Sequence, residues 1–177
     1  MDGIIKYNDQ FSIFLREYNL SEDFDFNIYI PKRLKELINS SIIDSQYGIT
    51  LKNLNNLPNL NDESWESESI KEDFYNHFHI DFYVKSTDNR NLFMVGVKTL
   101  QLLSLKFLGE NHKGIRFTYS FQTPELAEKQ ARQNGFHQEN DEYYFSDRLS
   151  FYRIRQNEIL MADLSEFHFE AIMTIDI

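Results

Sequence analysis

The apolar positions of the N-terminal part recur with a helical period. Within residues 9–18 they follow the i, i+3, i+4, i+7 spacing of an amphipathic helix, formed by Phe11, Phe14, Leu15 and Tyr18. Asn8 or Asp9 can cap this helix. Pro31 suits the first turn of a second helix, whose apolar stripe consists of Leu34, Leu37, Ile38 and Ile42. Residues 1–60 are therefore predicted to be mainly helical, with a short strand around residues 24–30, where apolar and polar side chains alternate.

From residue 77 the apolar period becomes two, which is typical of strands with one buried face. The segment 77–85 is predicted to be such a strand, with a buried face made of Phe78, Ile80, Phe82 and Val84. Further strands are predicted at 92–98, 115–121, 149–155 and 167–175. Residues 99–108 are apolar at both odd and even positions, so they fit either a central strand or a buried helix.

A helix is predicted at about 123–134, because Thr123 is an N-cap residue, Pro124 suits the first helical position and Gly135 favours termination. These elements predict an α+β fold, in which N-terminal helices precede a mostly antiparallel sheet of about five or six strands with this helix packed on it. A chain of 177 residues fits a single domain. Its expected parts are a helical region (1–60), an acidic connector (61–76) and the sheet region (77–177).

Acidic residues outnumber basic residues by 28 to 18, which gives a formal charge of −10. Binding to nucleic acid or to anionic membranes draws on clusters of Lys and Arg. The sequence contains no such cluster, so neither is expected as a partner. The natural partner of a negative surface is a basic protein. The alternative is that the charge only maintains solubility.

The chain contains no cysteine, which favours a reducing compartment and argues against thiolate nucleophiles and zinc-thiolate sites. The N-terminus has neither the basic nor the apolar region of a signal peptide. No uninterrupted apolar run approaches the roughly 18 residues of a membrane helix. The sequence therefore predicts a cytoplasmic protein.

Two segments combine carboxylates with aromatic residues, as protein-binding surfaces do. Residues 62–73 contain six carboxylates against one lysine and surround Trp65, and residues 139–145 place three carboxylates before an aromatic run. The predicted partner-binding residues are Asp62, Glu63, Trp65, Glu66, Glu68, Glu139, Asp141, Glu142, Tyr143 and Tyr144. The alternatives are that Trp65 packs against the core and that the second segment is a loop leading its aromatic pair into the sheet.

His77, His79 and Asp81 alternate with apolar residues and, on a strand, would project from one face. Two imidazoles with a carboxylate form a known metal-ligand pattern. A second alternation near the C-terminus adds His168, if the two strands are neighbours. The alternative is that these polar residues form the solvated face of strands whose apolar side chains face the core.

Three arginines lie close together in the sequence, within residues 148–155. They can bind a phosphate or a carboxylate ligand, or they can pair with the surplus of acidic side chains nearby. They are Arg148, Arg153 and Arg155.

Common catalytic motifs such as G-x-S-x-G, the P-loop and H-E-x-x-H do not occur in the sequence. A non-enzymatic, acidic protein-binding module without cofactors is therefore the leading prediction. Its most concrete form is an immunity or antitoxin protein that blocks a basic toxin, for example a nuclease, in the bacterial cytoplasm. The alternative is a metal-binding protein or metal-dependent enzyme that uses His77, His79 and Asp81, together with His168. A third interpretation is an adaptor or a subunit of a larger assembly.

Overall fold

The computed structural model describes residues 3–45, 48–54, 65–85, 88–135 and 147–177. Within these ranges the strands are β1 (Ile4–Tyr7), β2 (Ile42–Ser45), β3 (Gly48–Leu51), β4 (Phe78–His79), β5 (Ile115–Phe121), β6 (Asp147–Arg153) and β7 (Ala171–Asp176). Five of them form one antiparallel sheet in the order β1-β7-β5-β6-β4. The other two, β2 and β3, pair with each other in a two-stranded antiparallel sheet.

The same ranges contain helices that cover the sheet and fill the core. They are α1 (Asp9–Glu17), α2 (Lys32–Ile38), α3 (Glu68–Tyr75), α4 (Asn89–Gly109) and α5 (Pro124–Gln133), with a short 3-10 turn at Leu164–Glu166. The predicted α+β class is confirmed, with more helices than predicted and with a second, two-stranded sheet. Strands β1, β2 and β3 come from the region that was expected to be mainly helical.

The longest helix, α4, forms the centre of the core. It packs against β5, β6 and β7 and also against α2, so apolar side chains are needed on several of its faces. The prediction of a strand at 92–98 is wrong, because this segment belongs to α4. A helix that is buried on several sides lacks the 3.6-residue spacing of apolar positions that marks an amphipathic helix. The helical alternative for 99–108 is confirmed. By length and composition α4 could also cross a membrane, but 67% of its apolar window is buried inside the protein, as in core helices.

Helices α1 and α5 follow their sequence patterns. Asn8 caps α1, which buries Phe11, Phe14 and Leu15. Thr123 caps α5, Pro124 occupies its first turn and Gly135 follows it with a positive φ of 80°. At the start of each helix a side chain accepts a hydrogen bond from the backbone amide three residues later. The residues that determine the helix start are therefore close together in the sequence.

The alternating segment 24–30 contains no strand in the structure. Phe24, Phe26 and Ile30 are buried, so the alternation does record which side faces the core. Phe24, however, has a φ of +55°, which is incompatible with a regular strand.

The predicted strand at 77–85 is reduced to the two residues of β4. The backbone amides of Tyr83 and Val84 donate to the carbonyl of Ile80, which closes a turn directly after the strand. Phe82 consequently lies on the surface, with 73% of it exposed, and its predicted place in the core is wrong.

The last predicted strand is also shorter than expected. It begins at Ala171, so residues 167–170 precede β7 and do not pair in the sheet. The second histidine-bearing alternation therefore lies outside the strands.

Asn8 connects the start of α1 to the segment before β7. Its Oδ1 accepts hydrogen bonds from the backbone amides of Phe11 (3.0 Å) and Ile172 (3.0 Å). Its Nδ2 donates to the carbonyls of Phe167 (2.8 Å) and Glu170 (2.7 Å). Because Asn8 is buried, these four partners satisfy the full hydrogen-bonding capacity of its amide.

Replacing Asn8 by aspartate is expected to destabilise the protein by about 2 to 4 kcal/mol, although aspartate is an equally good N-cap. The new carboxylate oxygen would face two carbonyl oxygens where the amide now donates. Urea denaturation measures the change in the free energy of unfolding. The control is Ser67→Asp at the N-cap of α3, where the serine hydroxyl accepts the amide of Ile70. This variant should change stability by less than about 1 kcal/mol, and equal effects of the two substitutions would contradict the role of Nδ2.

Candidate functional site

Glu72 of α3 points into the protein although it belongs to the predicted acidic connector. It is completely buried (0% exposed), and its two oxygens bind the Arg155 guanidinium at 2.9 and 3.1 Å. The same oxygens accept the backbone amides of Ile49 (3.1 Å) and Arg153 (2.6 Å). Glu72 therefore joins α3, strand β3 and the end of β6 at one point.

Asp73 and Asn76 extend this attachment along β6. Asp73 forms an ion pair with Arg148 and accepts the hydroxyl of Ser150 (2.6 Å). The side-chain amide of Asn76 donates to the carbonyl of Phe151 (3.1 Å). The described part of the predicted connector is thus largely a helix attached to the sheet.

The three arginines singled out in the sequence are all paired with carboxylates of this chain. The ion pairs are Arg148–Asp73, Arg153–Asp44 and Arg155–Glu72. The interpretation that they offset the acidic surplus is confirmed, and the anion-binding alternative gains no support from these residues.

A continuous row of rings runs along α3, β4 and the residues that flank them. Successive ring centroids lie 4.9 Å (Trp65–Phe74), 5.5 Å (Phe74–His77), 5.8 Å (His77–His79) and 5.5 Å (His79–Phe82) apart. Tyr75 adds a further ring, 5.8 Å from that of Trp65. We define the aromatic surface by Trp65, Phe74, Tyr75, His77, His79 and Phe82.

Two large apolar rings of the aromatic surface are open to solvent. Phe74 is 48% exposed and Phe82 is 73% exposed. Strand β4 lies at one end of the described sheet, so the aromatic surface is located at its edge. Glu66, next to Trp65, is exposed. Glu68 is also exposed, and its carboxylate forms an ion pair with Lys71 (2.7 Å). Apolar rings with charged groups at their margin are the composition of protein-binding surfaces.

Of the predicted partner-binding residues, Trp65, Glu66 and Glu68 lie in the described part of the chain. Trp65 is half-buried and packs on Phe74 and Tyr75 of α3. The other predicted residues lie outside the described ranges: Asp62, Glu63, Glu139, Asp141, Glu142, Tyr143 and Tyr144.

Phe74 and Phe82 are surface residues that the sequence patterns missed. The strand pattern assigns Phe82 to the core, and the turn after β4 brings it to the surface. For Phe74 a signal does exist. Phe74 and Tyr75 are adjacent in a short helix, where neighbours point about 100° apart, so both rings cannot be buried on one face.

His79, Asp81 and Asp147 form a cluster at the junction of β4 and β6. Nδ1 of His79 lies 3.1 Å from Oδ1 of Asp147, and the backbone amide of Asp81 donates to Oδ2 of Asp147 (2.6 Å). One potential ligand atom from each residue lies within 4.8 Å of the others. Burial, and then the neighbouring Asp147 carboxylate, raise the pKa of Asp81. Two carboxylates therefore share a small space with one imidazole.

The structure changes the predicted set of metal ligands. His79 and Asp81 lie together as predicted, but His77 is outside the cluster. Its Nδ1 contacts a carbonyl in the last turn of α3, and burial lowers its pKa. His168 does not lie beside His79, so the condition for adding it to the ligand set is not met. It precedes β7, and β5 and β6 separate β7 from β4 in the sheet. The potential ligand that the sequence pattern missed is Asp147, at the start of β6.

His168 instead lines a cleft of about 990 Å³ beside β1, at the other end of the sheet from β4. Lys6 and Asp9 also line this cleft. Its charged groups are of mixed sign, and the described residues form no group of three metal-binding side chains there. The cleft therefore indicates no particular ligand.

The fold and the site together define a class: a small α+β protein with a partly exposed aromatic surface and an adjoining histidine–aspartate cluster at one edge of its sheet. Comparisons with protein-family models, with curated proteins and with solved structures find no match for this chain. Its function is therefore inferred from the chemistry of the site alone.

Proposed function

We propose that this chain is a non-enzymatic, acidic protein-binding module and that the aromatic surface contacts its partner. The observation that supports this proposal is the continuous row of rings, which includes two exposed phenylalanines, Phe74 and Phe82. Burying such rings on binding is favourable, because it removes a large apolar area from water. Large aromatic side chains also contribute most to the binding energy of many interfaces.

The elements that support the aromatic surface are attached to β6 in the free protein. α3 is attached to β6 through Glu72 and Asp73. β4 is attached to the same strand through the pairing of Phe78 with Leu149. Because these supports are already fixed, little conformational entropy is lost when a partner binds.

The charge of the protein indicates the chemistry of the partner. The chain carries a formal charge of −10. Glu66 exposes a carboxylate beside Trp65, and the exposed Glu68 is ion-paired with Lys71 (2.7 Å). Arg148, which lies opposite His79 in the pairing of β4 with β6, is paired with Asp73. A basic protein fits this field, and opposite charges increase the rate at which the two surfaces meet.

In its most concrete form, the proposal is an immunity or antitoxin protein of the bacterial cytoplasm that occludes a basic toxin such as a nuclease. A nuclease presents Lys and Arg side chains to the phosphates of its substrate. The same cationic surface attracts a protein rich in carboxylates. This function requires no cofactor in the chain and no direct contact with nucleic acid or membrane.

The test uses a basic nuclease domain encoded by the gene adjacent to that of this chain. The purified domain is titrated with the purified chain, and both Kd and the inhibition of nuclease activity are measured. Phe74→Ser and Phe82→Ser are each expected to raise Kd about 30-fold, which corresponds to the roughly 2 kcal/mol of a strong interface residue. Tyr29→Ser is the matched control, because Tyr29 is as exposed as Phe82 (73%) and lies outside the aromatic surface.

The contribution of charge is measured through the association rate. Glu66→Lys is expected to slow association several-fold at low salt and to have less effect at high salt, because salt screens exposed charges. Glu36→Lys makes the same change in net charge on α2 and should slow association less. The proposal fails if the adjacent gene encodes no basic domain, or if binding survives both phenylalanine substitutions.

A further inference from the structure

The histidine–aspartate cluster beside the aromatic surface contains the side chains of a metal site. We propose that His79, Asp81 and Asp147 bind one divalent transition-metal ion of the zinc type. This site does not depend on the proposed partner binding. Imidazole nitrogen and carboxylate oxygen are both ligands that Zn²⁺ accepts, and three protein ligands leave a further position open to water or to a ligand.

The distances within the cluster suit a shared ion. Ligand atoms on a tetrahedral zinc ion lie about 3.3 Å apart when each is roughly 2.0–2.1 Å from the metal. Nδ1 of His79 and Oδ1 of Asp147 are already 3.1 Å apart. The potential ligand atoms of all three residues lie within 4.8 Å of one another. The carboxylate of Asp81 must move closer to the other two ligand atoms to complete the set.

Asp147 is oriented by the protein itself. It is 1% exposed, and its Oδ2 accepts the backbone amide of Asp81, which leaves Oδ1 directed at His79. Hydrogen bonds of this kind from outside the coordination sphere fix the ligands of metal sites. The side chain of His79 is 34% exposed, so an ion can reach the cluster from solvent.

The cluster also contains an unsatisfied polar atom. Oδ1 of Asp81 is buried and has no hydrogen-bond partner, which is unfavourable for a carboxylate. The carboxylate of Asp147 nearby has the same sign of charge. A divalent cation would give Oδ1 a partner and would offset both negative charges.

A second histidine–carboxylate pair provides a contrast. Nδ1 of His112 lies 3.2 Å from Oδ2 of Asp44, but Asp44 also forms an ion pair with Arg153. In that pair the negative charge already has a cationic partner. Within the described ranges, the His79 cluster is the group in which three potential metal ligands come together.

Titration of the untagged, metal-free chain with ZnCl₂ in a calorimeter tests the site. One equivalent of Zn²⁺ is expected to bind, and the melting temperature should rise with Zn²⁺ concentration, because the ion binds the folded state. His79→Gln and Asp81→Asn are each expected to weaken binding at least ten-fold. His112→Gln should leave the affinity unchanged. Both ligand substitutions replace partly exposed side chains, and circular dichroism checks that the variants remain folded.

Cobalt absorption gives a second readout. Co²⁺ should develop visible d–d bands with the wild-type chain and lose them with Asp81→Asn. Absence of Zn²⁺ binding by the folded wild-type chain, or binding that persists in both ligand variants, would overturn the site. Partner binding measured in the presence of EDTA reports on the aromatic surface alone, so failure of one proposal is distinguishable from failure of the other.

Discussion

Replacing Glu72 by alanine is expected to lower the free energy of unfolding by about 3 to 5 kcal/mol, a large share of the roughly 5 to 15 kcal/mol that stabilises a domain. Glu72 is 0% exposed and accepts four hydrogen bonds. Its loss leaves the amides of Ile49 and Arg153 without their acceptor and Arg155 without its carboxylate. α3, β3 and β6 then lose one common attachment, while the side-chain amide of Asn76 still donates to the carbonyls of Ile49 (2.7 Å) and Phe151 (3.1 Å).

Chemical denaturation of wild type and variant measures this difference. The control is Glu36→Ala, because Glu36 forms an exposed i,i+4 ion pair with Lys32 (3.8 Å) and should change stability by less than about 0.5 kcal/mol. Arg155→Met should also be clearly destabilising, since it leaves the buried Glu72 charge with two amide donors only. Equal stabilities of Glu72→Ala and Glu36→Ala would show that the buried carboxylate does not stabilise the fold.

The buried position of Glu72 affects the design of functional tests in the acidic segment. Charge reversal at Glu72 or Asp73 would weaken the attachment of α3 to β6 and would lower partner binding through loss of structure. Glu66 is exposed and can be reversed without this effect. A loss of binding is therefore attributable to the surface only in variants whose stability is unchanged.

Replacing Gly96 by alanine is expected to destabilise the protein by about 3 kcal/mol or more, the upper range for overpacking a core. A Cβ atom at this position of α4 would lie 2.0 Å from Cζ and 2.4 Å from Oη of Tyr119. Tyr119 is 0% exposed, and its hydroxyl donates to the carbonyl of Leu92 (3.3 Å), so the ring cannot move aside without losing contacts. Glycine at position 96 lets α4 lie directly on β5.

Gly109→Ala is the matched control in the same helix, because nothing lies within 4 Å of a Cβ at Gly109. That variant should be neutral or more stable by up to about 1 kcal/mol, as alanine favours helix. A double-mutant cycle with Tyr119→Leu identifies the cause. The smaller side chain should restore part of the stability lost in Gly96→Ala, whereas additive effects would exclude the clash.

Helices and strands whose sequence signals lie within a few neighbouring residues could be predicted from the sequence. The caps at Asn8 and Thr123 and the apolar spacing of α1 depend on contacts within one helical turn. The alternation in residues 115–121 led to β5 in the same way. The negative charge and the abundance of aromatic residues are properties of composition, so the class of partner could be proposed without knowledge of the structure.

The remaining features depend on groups that are far apart in the chain. The period of α4 is hidden because strands and another helix surround it, and a pattern that is apolar on several faces does not show which element each face contacts. Glu72 and Arg155 are 83 residues apart, and His79 and Asp147 are 68 residues apart. A carboxylate can lie on the surface, hold two elements together or adjoin a histidine. Which of these occurs depends on the residue that lies opposite it in the folded protein. That residue is determined by strand order and pairing; local spacing shows which face of a strand is buried, and it does not show which strand lies beside it.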